Sequence, residues 1–229
     1  MENVVFLDDV QFKADRAALM RMLHIQEDSE DAKRLEELIR DAEDIARLKV
    51  LYKTAYIDEK GEDSVTIEGI RFTSRVLRVN LDPVYRVFPY VLTCGRELED
   101  WANKLADFLE RFWADKIMEA ALASATRAFD AHFKENCPVG LTASMNPGSL
   151  EDWPITEQKS LFALLGDDFQ KTGVELTESF LMLPVKSVSG IRFPTESNYE
   201  NCQLCPRENC PGRRSPYDET LYERKYKKK

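Results

Sequence analysis

Phe88-Pro89-Tyr90-Val91-Leu92-Thr93-Cys94-Gly95 is an apolar run that stops at a glycine. Its length and its share of aromatic and β-branched residues predict a buried strand. A helical pattern follows at once. Leu98, Trp101, Leu105, Phe108, Leu109 and Phe112 recur on one face, and Ile117, Met118, Ala121, Leu122, Ala125 and Phe129 continue it. The phase slips near residues 113–115, which predicts two helices, or one bent helix, packed over a sheet. The aromatic stripe reads as core, not as a cofactor box.

Upstream, Val4, Val5, Phe6 and Leu7 predict an opening strand, and residues 15–23 a helix. Ser29 is placed to cap a second helix, with Glu30 and Asp31 at its positive end and Leu35, Leu38, Ile39, Ala42, Ile45 and Ala46 on one face. Between residues 50 and 72 the period changes to two, with a Lys60–Gly61 turn, so a β-hairpin is expected. Residues 137–157 carry Pro138, Gly140, Pro147, Gly148 and Pro154 and predict a long loop, the kind of segment that often carries function. A short helix over 157–165 and strands over 174–183 and 187–193 complete an α+β pattern rather than a doubly wound parallel sheet.

The 229 residues, 43% hydrophobic, suffice for a sizeable core. With 32 Lys+Arg against 41 Asp+Glu the net charge is −9, which argues against nucleic-acid binding. No window is apolar for long enough to span a membrane, and Met1–Asp9 is acidic rather than leader-like, so a cytoplasmic protein is expected. Arg224, Lys225 and Lys227–Lys229 make residues 217–229 a basic tail expected to be solvated and disordered.

Residues 84–200 resemble the reactivation domain of cobalamin-dependent methionine synthase. The strand–Cys–Gly–helix order of residues 90–133 fits it. More specific are Asn146-Pro147-Gly148, Thr156-Glu157 leading into Leu161-Phe162-Ala163-Leu164-Leu165, and Leu176-Thr177-Glu178-Ser179-Phe180. Met182, Pro184, Ser187-Val188-Ser189-Gly190, Phe193, Pro194 and Tyr199 follow at the family's spacing. The resemblance implies a mainly antiparallel twisted sheet with packed helices. It also implies a device that docks over a corrinoid and presents S-adenosylmethionine, whose methyl group traps the cobalt after one-electron reduction. The corrinoid supplies the chemistry and the domain supplies orientation. Residues 1–83 would then be the strand, helices and hairpin of the same domain.

The family's ligand loop reads Arg-Pro-Ala-Pro-Gly-Tyr, and here it is Ser144-Met145-Asn146-Pro147-Gly148-Ser149. A bidentate anchor and an aromatic wall are replaced by two serines, at a cost of about 1.5–3 kcal/mol to a carboxylate-bearing ligand. The candidate binding set is therefore Ser144, Asn146, Pro147, Gly148 and Ser149 with Glu178, Ser187, Ser189, Gly190 and Tyr199. Each also has a structural reading: a loop kept for its fold, serines ordinary in a strand, a solvated glutamate.

Cys202, Cys205 and Cys210 form a C-x2-C-x4-C array in residues 201–216, in a chain with five cysteines and no sign of a disulfide framework. Short thiolate spacing of this kind suits one metal, as zinc or as an iron–sulfur cluster. Cys137 is the leading fourth ligand, ahead of Cys94 and His132. An electron-delivering role favours iron–sulfur over Zn. Cys94 itself reads as a small buried hydrophobe.

Three functions fit these residues. One is a stand-alone reactivation or docking factor for a corrinoid-binding protein or cobalamin-dependent methyltransferase, with an electron-passing cluster. The second is the S-adenosylmethionine-binding subunit of a split methionine synthase. The third is a non-catalytic interaction module with structural Zn. No catalytic triad, phosphate-binding glycine loop or carboxylate pair is legible.

Overall fold

The structure, a computed structural model, describes residues 4–227. In chain order it has β1 (Val4–Val10), α1 (Arg16–Leu23), α2 (Glu30–Ile45), β2 (Leu48–Lys53), β3 (Ala55–Lys60), β4 (Ser64–Ile67), β5 (Ile70–Thr73), α3 (Arg75–Asn80) and β6 (Arg86–Thr93). Then come α4 (Arg96–Lys104), α5 (Phe108–Asn136), β7 (Thr142–Met145), α6 (Gln158–Leu165), β8 (Glu175–Leu176), β9 (Met182–Leu183) and β10 (Ser187–Pro194). Helices and an antiparallel sheet coexist, as the α+β reading expects.

The run quoted first becomes β6, the strand on which the sheet is built. Along one edge β10 pairs with it from Ser187 opposite Thr93 to Arg192 opposite Phe88. Along the other edge lies β2, with Tyr52 opposite Tyr90, and then β3, with Ala55 opposite Val87. The chain keeps one register from β2 into β3, and the ladder lapses only across from Phe88 and Pro89, where the proline has no N–H to give. β1 extends the sheet beyond β2, β7 lies beyond β10, and β3, β4 and β5 form a meander at the far end. The β4–β5 turn is Glu68-Gly69, both at positive φ, as a two-residue hairpin turn requires.

Strand alternation sorts β6 between two helix layers. Phe88, Tyr90 and Leu92 join Leu48, Val50 and Tyr52 of β2 in one cluster, beneath Leu35, Leu38 and Ile39 of α2 and Ile117, Ala121 and Phe129 of α5. Val91 and Leu51 face the other way, against Phe162 and Leu165 of α6. A third cluster, with Val87, Ile191, Phe193 and Trp153, fills the meander end. Ser29 caps α2 as expected, accepting the Ala32 N–H at 3.1 Å.

Five expectations need correcting. Residues 174–183 are not one strand but a hairpin, β8 paired with β9 across a turn closed by the Thr177 N–H on the Leu181 carbonyl at 2.8 Å. The helix break falls at Leu105–Asp107 rather than near residues 113–115, because the Asp107 carboxylate takes the N–H groups of Leu109 and Glu110 and starts a new helix there. The first turn of α5 therefore runs ahead of its buried face, which begins at Trp113, and Phe108 is 86% exposed with Leu109 and Phe112 also at the surface. Residues 137–157 are not one open loop, since β7 pairs with the edge of β10 inside them. The basic tail is anchored as far as it is described. One π-helical turn, Tyr222–Tyr226, buries Tyr226 completely, its hydroxyl donates to Asn80 Oδ1 at 3.0 Å, and its carbonyl accepts from Arg75 Nε at 3.0 Å. Counting lysines hid the tyrosine that anchors the segment. Lys228 and Lys229 lie outside the described residues. Among the described residues no helix is long and apolar enough to cross a membrane.

If Tyr226 holds the C-terminal segment down, Tyr226→Ala lowers stability in urea denaturation by about 3 kcal/mol, as for other buried aromatics cut to alanine. Tyr226→Phe costs about 1 kcal/mol, because Lys225 also donates to Asn80.

Candidate functional site

β7 ends where Asn146 turns in over β10, and this amide gathers the polar groups of the region. Its Nδ2 donates to Tyr90 Oη at 2.8 Å and to the Ser189 carbonyl at 2.7 Å. Its Oδ1 accepts from Asn201 Nδ2 at 3.3 Å, and Asn201 Oδ1 accepts the Tyr199 hydroxyl at 3.1 Å. Tyr90, Tyr199 and Asn201 are all buried. Burial drives the ionisation of both phenols upward, so each stays a neutral phenol at physiological pH.

Gly190 is what lets the amide come this close. A Cβ there would stand 2.5 Å from the Met145 carbonyl oxygen, 2.6 Å from Asn146 Nδ2 and 2.8 Å from Tyr90 Oη. One residue back, the buried Ser189 donates from Oγ to Gln158 Oε1 of α6 at 2.7 Å. Ser187 donates to Thr93 Oγ1 at 2.9 Å, tying β10 to the end of β6. Ser189, Gly190, Asn146 and Tyr199 are thus brought into one frame, hydrogen-bonded internally, while Ser187 is tied to the end of β6 apart from it.

Pro147 is buried, and Gly148 turns the chain at φ +82° with its N–H donating to the Trp153 carbonyl at 2.7 Å. Ser149 beyond it is exposed, at the edge of a cleft of about 480 Å³ shared with Asp152, Cys205, Tyr217 and Tyr222. Ser144 faces Arg192 across the strand pair and accepts from its Nε at 3.4 Å. A guanidinium therefore stands at this edge, but it comes from β10 and is already engaged. It lies 4.0 Å from the Phe129 ring centroid and 2.5 Å from Asp130.

Two groups of sequence candidates fall elsewhere. Glu178 is exposed at the tip of the β8–β9 hairpin, apart from the Asn146 frame. Cys137 closes α5, where its N–H donates to the Phe133 carbonyl, and it packs against the α2–α5 cluster. Cys205 packs against the separate meander cluster. Among the described residues no three His, Cys, Asp or Glu side chains converge as a metal site. The segment is organised instead around Arg213, which donates to the carbonyls of Cys202 at 3.1 Å and Cys205 at 3.2 Å, and also to that of Arg207. The residues present therefore do not fit a centre of Cys202, Cys205, Cys210 and Cys137, either as iron–sulfur or as Zn. Cys94 is the inert buried thiol expected, its ionisation pushed up to about 12 by burial.

Sequence reasoning missed Tyr90, Gln158, Arg192 and Asn201. Tyr90 lay hidden in an apolar run, and Asn201 stood beside the more conspicuous cysteines. Gln158 gave a usable signal, a polar residue one position into a short helix that is otherwise apolar on the same face. Gly190→Ala is expected to cost about 1–3 kcal/mol in thermal or urea unfolding, since the nearest atom is backbone and cannot yield cheaply. An unchanged midpoint would contradict the close approach.

Comparison with known proteins bears on the fold and on one stretch of the sequence. Residues 148–212 match the family model described as vitamin B12 dependent methionine synthase, activation domain. That stretch holds α6, β10, Tyr199 and Asn201, and it also spans Cys202, Cys205 and Cys210. No curated protein matches the chain. Among solved structures, a crystal structure of the MetH reactivation domain bound to AdoHcy superposes with a TM-score of 0.60 at 16% identity, covering 86% of this chain and 80% of that one. The chain has the fold of the methionine synthase reactivation domain over most of its length, and over residues 148–212 it carries that domain's sequence pattern as well.

Proposed function

We propose that this chain is a reactivation-type accessory of a cobalamin-dependent methyltransferase, docking on the corrinoid-carrying domain of a separate protein. The observation that carries this reading is where the sequence match falls. Residues 148–212 build one wall of the Asn146 frame and the surface around it, not a remote piece of core. The same stretch leaves Leu181, at the end of the β8–β9 turn, and Val185, on the connection into β10, exposed, apolar side chains suited to a partner.

Docking is preferred over a methyl-donating subunit because Ser144 and Asn146 are both engaged in internal contacts. A structural-Zn module has no converging ligands among the described residues to support it. Docking of this kind acts by differential affinity. A protein that binds the corrinoid domain more tightly in one cobalt state shifts the population toward that state by no more than the difference in binding free energy. The electron for reduction then comes from an external one-electron donor.

Titrating the protein into a cobalamin-loaded methyltransferase domain, followed by the corrinoid absorption spectrum and by size-exclusion chromatography, is expected to give a saturable complex. Affinity should differ between cobalt oxidation states. Absence of a complex in every state would overturn the proposal, and saturable calorimetric binding of S-adenosylmethionine to the isolated chain would favour the methyl-donating subunit instead.

A further inference from the structure

A second cleft, of about 700 Å³, opens between the α3–β6 connection and the turn after β10, and it includes no residue of the candidate set. Lys225 enters it from the C-terminal turn. Although the residue as a whole is exposed, its ammonium turns inward, donating to Asn80 Oδ1 at 2.9 Å and standing 5.7 Å and 5.1 Å from the rings of Tyr199 and Tyr226. Arg86 lines the same cleft, with its guanidinium 5.4 Å from the Phe88 ring. Neither cation has a carboxylate at ion-pair distance among the described residues.

The surroundings add to the positive field. Lys60 lies 4.7 Å from the ring of Tyr85, which is 77% exposed on the cleft wall. Burial holds both Lys60 and Lys225 below the ordinary lysine range. Glu196 at the rim is the one carboxylate among the lining residues, and nearby Asp82 is paired with Arg78 at 2.8 Å. A chain of net charge −9 thus keeps a locally cationic hollow, with the Thr195 hydroxyl and a tyrosine face beside it. Two cations bordering a concave, partly apolar hollow, against one carboxylate at its rim, favour an anion there.

We infer that this cleft binds a small oxyanion carried on a planar or apolar body, with Lys225 and Arg86 taking the phosphate or carboxylate and Tyr85 stacking on the body. The inference does not rest on the docking role and requires no corrinoid partner.

Phenyl phosphate, benzoate and phenol are the probes, each titrated into the full chain by calorimetry and by amide chemical shift. One or both anions should saturate at millimolar concentration or below, with shifts at Tyr85, Thr195 and Lys225, whereas phenol should not. Binding of both anions points to a general oxyanion site, and binding of one selects phosphate or carboxylate. Lys225→Met and Arg86→Met should each weaken binding about tenfold or more, as loss of a charged hydrogen-bond partner does. The two variants are compared with the parent by circular dichroism so that loss of fold is recognised, and Arg86, exposed at the start of β6, is the safer change. No saturation by either anion, or unchanged affinity in a folded Arg86→Met protein, would overturn the inference.

Discussion

Everything in this structure is referred to the two-sided burial of β6. A strand hydrogen-bonded along both edges and covered on both faces has nowhere to slip, because a one-residue shift would exchange Phe88, Tyr90 and Leu92 for Val87, Pro89 and Val91 on the α2–α5 side. The apolar side chains set its depth, at about 1.5–3 kcal/mol for each fully buried large residue. Its register then fixes where Gly190 lies opposite Tyr90, and therefore where the side chain just after β7 can reach in.

That reach is made by Asn146, which carries the structural argument into function. The buried Asn201 amide and two buried phenols would each cost a few kcal/mol if left unpaired, so the hydrogen bonds they make with one another and with Asn146 define a single arrangement. The result is a rigid polar frame spanning β6, β7, β10 and the start of the cysteine segment. A frame of this kind suits a surface that must present a fixed shape to a large partner, since little is then lost to ordering on association.

Much of the fold was legible because it rests on periodicity. The buried strand, the capped α2 and the strand at residues 187–193 follow from residue order alone. What was not legible depends on which surfaces meet. Phe108, Leu109 and Phe112 continue a helical stripe in sequence yet stand beyond the sheet, which no helical period can reveal. Cys137 and the C-x2-C-x4-C array suggest a common ligand set by type, but the first packs against one core cluster and Cys205 against another. In the candidate site the glycine, the serines and Asn146 were readable as a group. Their partners Tyr90, Gln158 and Asn201 come from three other segments and became visible only once the sheet was assembled.

The central claim is that the surface around the Asn146 frame, built in part by residues 148–212, is the face that meets a corrinoid domain. Hydrogen–deuterium exchange of the chain alone and mixed with a cobalamin-loaded methyltransferase domain tests it most directly. Slowed exchange concentrated in residues 144–150 and 177–201 is the predicted result. Unchanged exchange there, or protection confined to α1 and α2, would contradict it.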